Sequence, residues 1–220
     1  MPTPASHLRK PAVALAALCL IAVATVSLRA ESWEQKDWTQ WTSQDCYHIL
    51  SASAWAQPGP ELFFSLPGAT RASDGAVGAY FPVAVVVSSL VVRQALERQA
   101  QFDQHYEKMS REQRQAFDQT AAACIGKKYG DRIIIRVPPE VAGPFRLEIN
   151  GQYVPSLPQT QMNAVAPCPG DKAIDVSFPD VDQGKQIIQP GDKKIEIKNK
   201  DDYTFTFNAD KMIYKGKLDY

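Results

Sequence analysis

Ser88 and Ser89 fall between a β-branched run and a helical pattern, the place from which a nucleophile elbow offers its hydroxyl to an acyl carbon. Such an elbow needs flanking glycines, and Val86-Val87-Ser88-Ser89-Leu90 has none, so these serines are expected to cap the helix. The base of a triad would be His48 or His105, both in helical patterns and neither beside a motif that supplies an orienting acid. Cys46 and His48, two apart on a helix, point to different sides and make no zinc pair. Asp180-Val-Asp182-Gln-Gly184 begins like a calcium loop but lacks the third acidic position and the distant Glu, so a hairpin turn is expected. The run Gly68-Ala-Thr-Arg-Ala-Ser-Asp-Gly75 offers backbone amides without the Lys-Ser/Thr of a phosphate loop. No catalytic, cofactor-binding or metal-binding residue is assigned, and no cofactor is expected.

The remaining candidate surface is aromatic. All four tryptophans, Trp33, Trp38, Trp41 and Trp55, lie between Glu31 and Gln57. Indoles gathered this closely form a binding surface for sugar or peptide, or else dock a short helix onto a larger body; docking is the favoured role.

Several elements must position these residues. Thr42-Ser-Gln-Asp45 has the form of a capping box, followed by a short helix to about Ala52 with Cys46, Ile49 and Leu50 on its apolar stripe. Residues 57–79, rich in Pro and Gly, read as a long loop or mobile linker. Tyr80–Val87 reads as one strand buried on both faces. The next helix carries Leu96, Phe102, Tyr106 and Met109 on one side, with Arg93 and Glu97 paired at i, i+4 on another. Ser110-Arg-Glu-Gln113 opens a further helix that buries Ala116 or Phe117, Ala121 and Cys124 and stops at Gly126. Ile133–Ile135 forms a strand, and two antiparallel helices return the chain so that the strands near 83 and 133 can pair only antiparallel.

From Pro138 onward alternation dominates. Phe145, Leu147 and Ile149 lead into an Asn150-Gly151 hairpin turn; Ile174, Val176 and Phe178, then Ile195 and Ile197, then Tyr203, Phe205 and Phe207 follow. A last strand is expected to present Met212, Tyr214, Gly216, Leu218 and Tyr220 on one face. The fold class is α+β: N-terminal helices and a helical hairpin between two buried strands, then an antiparallel β section, either a half-solvated sheet or a small sandwich. The segments are 1–30, 31–57, 58–79, 80–137 and 138–220, the last two forming one body.

Residues 1–30 have the layout of a secretory signal: His7, Arg9 and Lys10, an apolar run from Pro11 to Leu28, then polar Glu31 and Ser32. Cleavage would follow Ala24, Ser27 or Ala30; the competing reading is an uncleaved membrane anchor. With 45% hydrophobic and 22% charged residues the 220-residue chain is globular in composition, not disordered. Without the leader, 21 basic face 24 acidic side chains, a net of −3 with no basic block, which argues against nucleic-acid binding. Cys46, Cys124 and Cys168 remain after the leader. Cys46 and Cys124 sit on apolar helix faces, compatible with a bridge between them or with buried thiols, and no disulfide framework is expected.

Trp38-Thr-Gln-Trp41, Asp45, Ile49-Leu50 and Ser53-Ala-Trp55-Ala56, with the closing Lys211-Met-Ile-Tyr-Lys-Gly-Lys-Leu-Asp-Tyr220, carry a likeness. In these motifs it resembles a group of exported bacterial proteins with no assigned activity. In that group a proline commonly precedes the last Trp, where Ala54 stands here. The resemblance implies export to the periplasm or beyond and brings no reaction with it. The resulting expectation is a non-enzymatic envelope protein that binds a partner through its β-section edges or its aromatic N-terminal piece. The rivals are a hydrolase of unfamiliar type with an assembled Ser/His/carboxylate site, and a carrier of a small apolar or carbohydrate ligand.

Overall fold

Thr42 and Asp45 cap one another as their spacing requires. The Thr42 hydroxyl accepts the Asp45 N–H at 3.1 Å and the Asp45 carboxylate accepts the Thr42 N–H at 2.9 Å, opening helix α1, Ser43–Ala52. Of its apolar stripe, Cys46 and Ile49 are fully buried and Leu50 half-buried. The computed structural model describes residues 33–65, 77–141, 143–158, 168, 174–201 and 203–220. Residues 38–220 make one compact unit, and the described part of the other is a turn in which Lys36 N–H donates to the Trp33 carbonyl at 3.1 Å. The N-terminal segment 1–30 and the Gly68–Gly75 run lie outside the described residues.

After α1 the chain turns on Ser53. Its hydroxyl donates to the Ile49 carbonyl at 2.6 Å and accepts the Trp55 N–H at 3.2 Å, while its carbonyl accepts the Ala56 N–H, so the turn closes without a proline at position 54. Strand β1, Ala56–Pro58, follows; β2, Leu62–Ser65, pairs antiparallel with β3, Val77–Tyr80. The expected linker 57–79 therefore carries strand at both ends, its apolar residues masked in the sequence by the density of Pro and Gly. The expected single strand Tyr80–Val87 is likewise broken. Pro82 has no N–H to give a ladder, and β4 begins beyond it at Val83–Val86, with Val83 and Val85 only half-buried.

Helix α2, Leu90–Asp103, and helix α3, Arg111–Gly126, are joined by a 3-10 turn, Tyr106–Lys108, entered through His105 at φ 52°. Because α2 ends at Asp103, Tyr106 and Met109 do not extend its face. The Ser110/Gln113 capping box forms in both directions, at 3.3 and 2.8 Å. Ala121 and Cys124 are buried; Phe117 is half-buried, edge-on to Tyr106 with ring centres 5.4 Å apart, and Ala116 is exposed. Arg93 and Glu97 are not an exposed pair. Both are buried, and Arg93 Nη1 instead donates to the carbonyls of Cys124, Ile125 and Lys127 at 3.1, 2.7 and 2.5 Å, satisfying the end of α3.

β5, Arg132–Val137, returns antiparallel beside β4, as the two intervening helices require. β6, Phe145–Ile149, turns at Asn150-Gly151, φ 50° and 86°, into β7, Gln152–Pro155. β8 is Ile174–Pro179, and β9, Val181–Asp182, turns at Gln183-Gly184, φ 49° and 80°, into β10, Lys185–Gln186, so the Asp180–Gly184 run is the hairpin turn. β11, Ile195–Asn199, and β12, Thr204–Phe207, form the next hairpin. The expected straight last strand instead folds at Lys215-Gly216, φ 50° and 76°, into β13, Ile213–Tyr214, and β14, Lys217–Leu218.

The strands assemble into two four-stranded antiparallel sheets, β1-β4-β5-β8 and β12-β11-β6-β7, beside three two-stranded hairpins. This is an α+β fold with antiparallel sheets. Ile133, Ile134 and Ile135 are all buried, so the first sheet is covered on both faces, while β6 and β12 alternate buried and open positions as a half-solvated sheet should. β1 touches β12 and β7 touches β8, joining the sheets along both edges. On the open face of the second sheet Lys198 reaches Glu148 at 2.8 Å and Glu196 at 3.1 Å, and Lys194 reaches Glu196 at 3.0 Å.

The disulfide reading needs correction. Cys124 at the end of α3 is bridged to Cys168, 44 residues on, and Cys46 is the free, buried cysteine among the described residues. Cys168 sits in a stretch without periodicity, so nothing in the sequence placed it against a helix. Burial pushes the Cys46 thiol up to about 12, which leaves it neutral and inert as a core side chain.

Candidate functional site

The β6–β7 hairpin ends in a two-residue loop, and that loop fixes which way each β7 peptide group points. Ile149 and Gln152 exchange both hydrogen bonds, and so do Leu147 and Val154 two residues further along. The N–H and C=O of Tyr153 and the C=O of Pro155 therefore point away from β6. Among the described residues β6 is the only strand paired with β7. Pro155 sits where its missing N–H costs the ladder nothing.

Beside this edge lies a groove of about 700 Å³ whose opposite wall is the β9–β10 hairpin. Ile149, Val154, Pro179, Val181 and Ile187 supply its apolar lining. At one end Asn150 Nδ2 donates to Asp192 at 2.6 Å, and the other Asp192 oxygen accepts the Gln189 N–H at 2.7 Å, so that carboxylate is held by the protein itself. Two large apolar side chains are conspicuously open here, Tyr153 at 61% and Val181 at 40% exposure. The Tyr153 ring rests under the Arg146 guanidinium, 5.2 Å from the ring centre, and its hydroxyl reaches Glu148 across the strand pair.

Behind the hairpin, Asp180 is buried with Oδ1 unpartnered. Burial raises its carboxyl above the usual range, partly offset by hydrogen bonds from Tyr220 and Gln186. Nearby Asp180 likewise raises the Tyr220 phenol, after burial itself. Of these groups Gln186 lines the groove, and Asp180 and Tyr220 do not.

The residues singled out by sequence are dispersed. The Ser88 hydroxyl accepts the Ile134 N–H at 3.1 Å and Ser89 donates to Asp219 at 2.7 Å, so neither hydroxyl is presented to a substrate. His48 is half-buried on α1 and His105 exposed in the inter-helix turn. Among the described residues no group of three His, Cys, Asp or Glu side chains could hold a metal ion. Within residues 38–220 the indoles make no open platform: Trp41 and Trp55 are 0 and 2% exposed and Trp38 is half-buried; Trp33, in the other unit, is itself buried. Trp55 Nε1 donates to the Asp219 carbonyl at 2.5 Å, which is docking chemistry.

Sequence reasoning passed over two groups. Ser89 stands at the N-cap position of α2, as expected, but its side chain makes no cap bond; Asp219 supplies it, its carboxylate accepting the Leu90 N–H at 2.9 Å and the Val91 N–H at 3.1 Å. Glu97 stands 1% exposed, and burial pushes its carboxyl up to about 7. No local signal marks Asp219, which lies 129 residues from the helix it caps. Among the described residues no helix is long and apolar enough to cross a membrane. No family model matches the chain, and neither does any curated protein or solved structure.

Proposed function

We propose that this is an exported bacterial envelope protein that acts as a binding module, taking an extended segment of a partner protein as an added strand along β7. The observation that carries this reading is the coincidence, at one groove, of the outward main-chain N–H and C=O of Tyr153 with the exposed side chains of Tyr153 and Val181; past Pro155 the same edge meets β8, where the Leu157 N–H donates to the Ser177 carbonyl at 2.8 Å. An added strand would meet the Tyr153 N–H and C=O, two main-chain hydrogen bonds, and bury two apolar side chains, the recognition mode of strand addition. Asp192 is already satisfied, which leaves Asp182 and Lys185 as the oppositely charged pair of the lining and favours an uncharged peptide backbone over an ionic ligand. Export rests on the tripartite segment 1–30 and on the resemblance in the Trp-rich opening and the closing strand motif.

The test is site-specific photo-crosslinking in cells of a source bacterium, with benzoylphenylalanine at position 153 and, as control, at the equally open Tyr47 on α1. A discrete light-dependent adduct at 153 and none at 47 is expected. No adduct at 153, or the same adducts at both positions, would overturn the assignment.

A further inference from the structure

Helices α2 and α3 run antiparallel, so Glu97 in the middle of α2 meets the middle of α3. Where they part there is a cleft of about 420 Å³, lined besides Glu97 by Gln104, Met109, Gln113, Ala116, Phe117 and Thr120. Glu97 is the one ionisable side chain in that lining, and its Oε1 is buried with no hydrogen-bond partner. A buried carboxylate oxygen without a donor is costly, and nothing about the packing of α2 demands one: Gln or Leu would fill the position. The cation one turn away, Arg93, is spent on the carbonyls of Cys124, Ile125 and Lys127 and lies over the Tyr129 ring. Of the other polar groups of the cleft, Thr120 is an acceptor and Gln113 is anchored through its side-chain oxygen, while Gln104 also lines the wall. Thr120 Oγ1 donates to the Ala116 carbonyl at 3.2 Å and so keeps its lone pairs available. Gln113 is fixed by the Ser110 N–H at 2.8 Å. Met109 and Phe117 form an apolar wall.

We infer that this cleft is a binding site for a small primary amine with an apolar tail, its ammonium group donating to Glu97 Oε1 and Thr120 Oγ1 and its tail lying on Met109 and Phe117. The chemistry excludes closer alternatives. One carboxylate with no second anionic ligand does not make a metal site. An anion would face the carboxylate, and a neutral apolar ligand would leave Oε1 unpaired. The volume lies within the range of small-molecule pockets. The site stands apart from the β7 groove and does not depend on it.

The probe is 2-phenylethylammonium, titrated calorimetrically into the full chain, with 2-phenylethanol as the neutral isostere. Saturable binding is expected for the ammonium ion and at least tenfold weaker binding for the alcohol. Since the empty carboxyl is pushed up to about 7 and must be ionised to hold the cation, affinity should fall about tenfold between pH 8 and pH 6, with proton release on binding at the lower pH. Glu97→Gln should lose binding at least tenfold and with it the proton release. Ala116→Trp, on an exposed position of the cleft mouth, should also lose it while leaving Glu97 in place, so the test survives if Glu97→Gln fails to fold. No saturable binding, equal affinity for the alcohol, or unchanged affinity in a folded Glu97→Gln would overturn the inference. Tighter binding of Nα-acetyl-lysine amide than of the arylalkylamine would overturn the assignment to a free amine.

Discussion

Glu97 and Arg93 occupy the same helical face, yet the two buried charges are handled differently. Arg93 places three hydrogen bonds on the frayed carbonyls that end α3, which offsets the burial that lowers its own pKa. Glu97 receives no such compensation, and its carboxyl is pushed up to about 7. The folded state therefore binds a proton that the unfolded chain releases near pH 4.3, so stability falls as pH rises from there to about 7 and levels off above. Full expression of that shift amounts to about 3 kcal/mol, and Glu97→Gln should flatten the slope and be the more stable protein at pH 8. Urea unfolding at a series of pH values checks this; parallel profiles for the two proteins would contradict it. An i, i+4 Arg/Glu spacing is the same in sequence whether the two groups pair or not, and here the expected pair is two separate buried groups. By contrast Thr42/Asp45 and Ser110/Gln113 were legible, because a capping box is complete within four residues.

Among elements, the helix that opens at Leu90 is held by a residue from the other end of the chain. Asp219 accepts the Leu90 and Val91 N–H groups and the Ser89 hydroxyl, and its carbonyl takes the Trp55 indole N–H, so one residue ties α2, the turn after α1 and the segment after β14 together. Asp219→Ala should cost about 1–2 kcal/mol, the range for loss of a helix N-cap, and speed hydrogen exchange at the Leu90 and Val91 amides ahead of the rest of α2. A change in urea midpoint equivalent to under about 0.3 kcal/mol with unaltered exchange would show that the first turn is capped otherwise. The order of α1, β4, α2, α3, β5 and β6 was readable because each of these repeats its own period, and the antiparallel β4–β5 pairing followed from an even number of helices between them. The hairpins at β2–β3 and β13–β14 were not: the first lies among Pro and Gly, and the second has an alternation that reads equally as one straight strand until Lys215-Gly216 turns it back. Asn150-Gly151 was legible because that dipeptide alone satisfies two consecutive positive φ angles with little strain.

In the whole molecule, two antiparallel sheets share edges and one disulfide closes a 44-residue separation between α3 and the otherwise unpatterned Cys168 stretch. A cross-link of that span restricts the unfolded chain by about 4 kcal/mol, a substantial share of the stability of a domain this size. The aromatic opening that the sequence offered as a surface is spent inward at Trp41 and Trp55, and the exposed apolar side chains at the groove come instead from the turn-flanking strands β7 and β9. The groove was out of reach of sequence reasoning because Tyr153 and Val181 lie 28 residues apart on different hairpins, and only the assembled sheets bring them to one place. The binding role of the molecule rests on whether β7 receives a partner strand. Native mass spectrometry of the protein recovered from its own envelope tests this most directly, comparing the wild type with Tyr153→Pro, which removes the outward N–H at a position β6 does not use. A stoichiometric protein partner on the wild type, lost in a folded Tyr153→Pro and retained in Tyr153→Phe, is the predicted result; a bare wild-type monomer, or a partner held equally well by Tyr153→Pro, would contradict it.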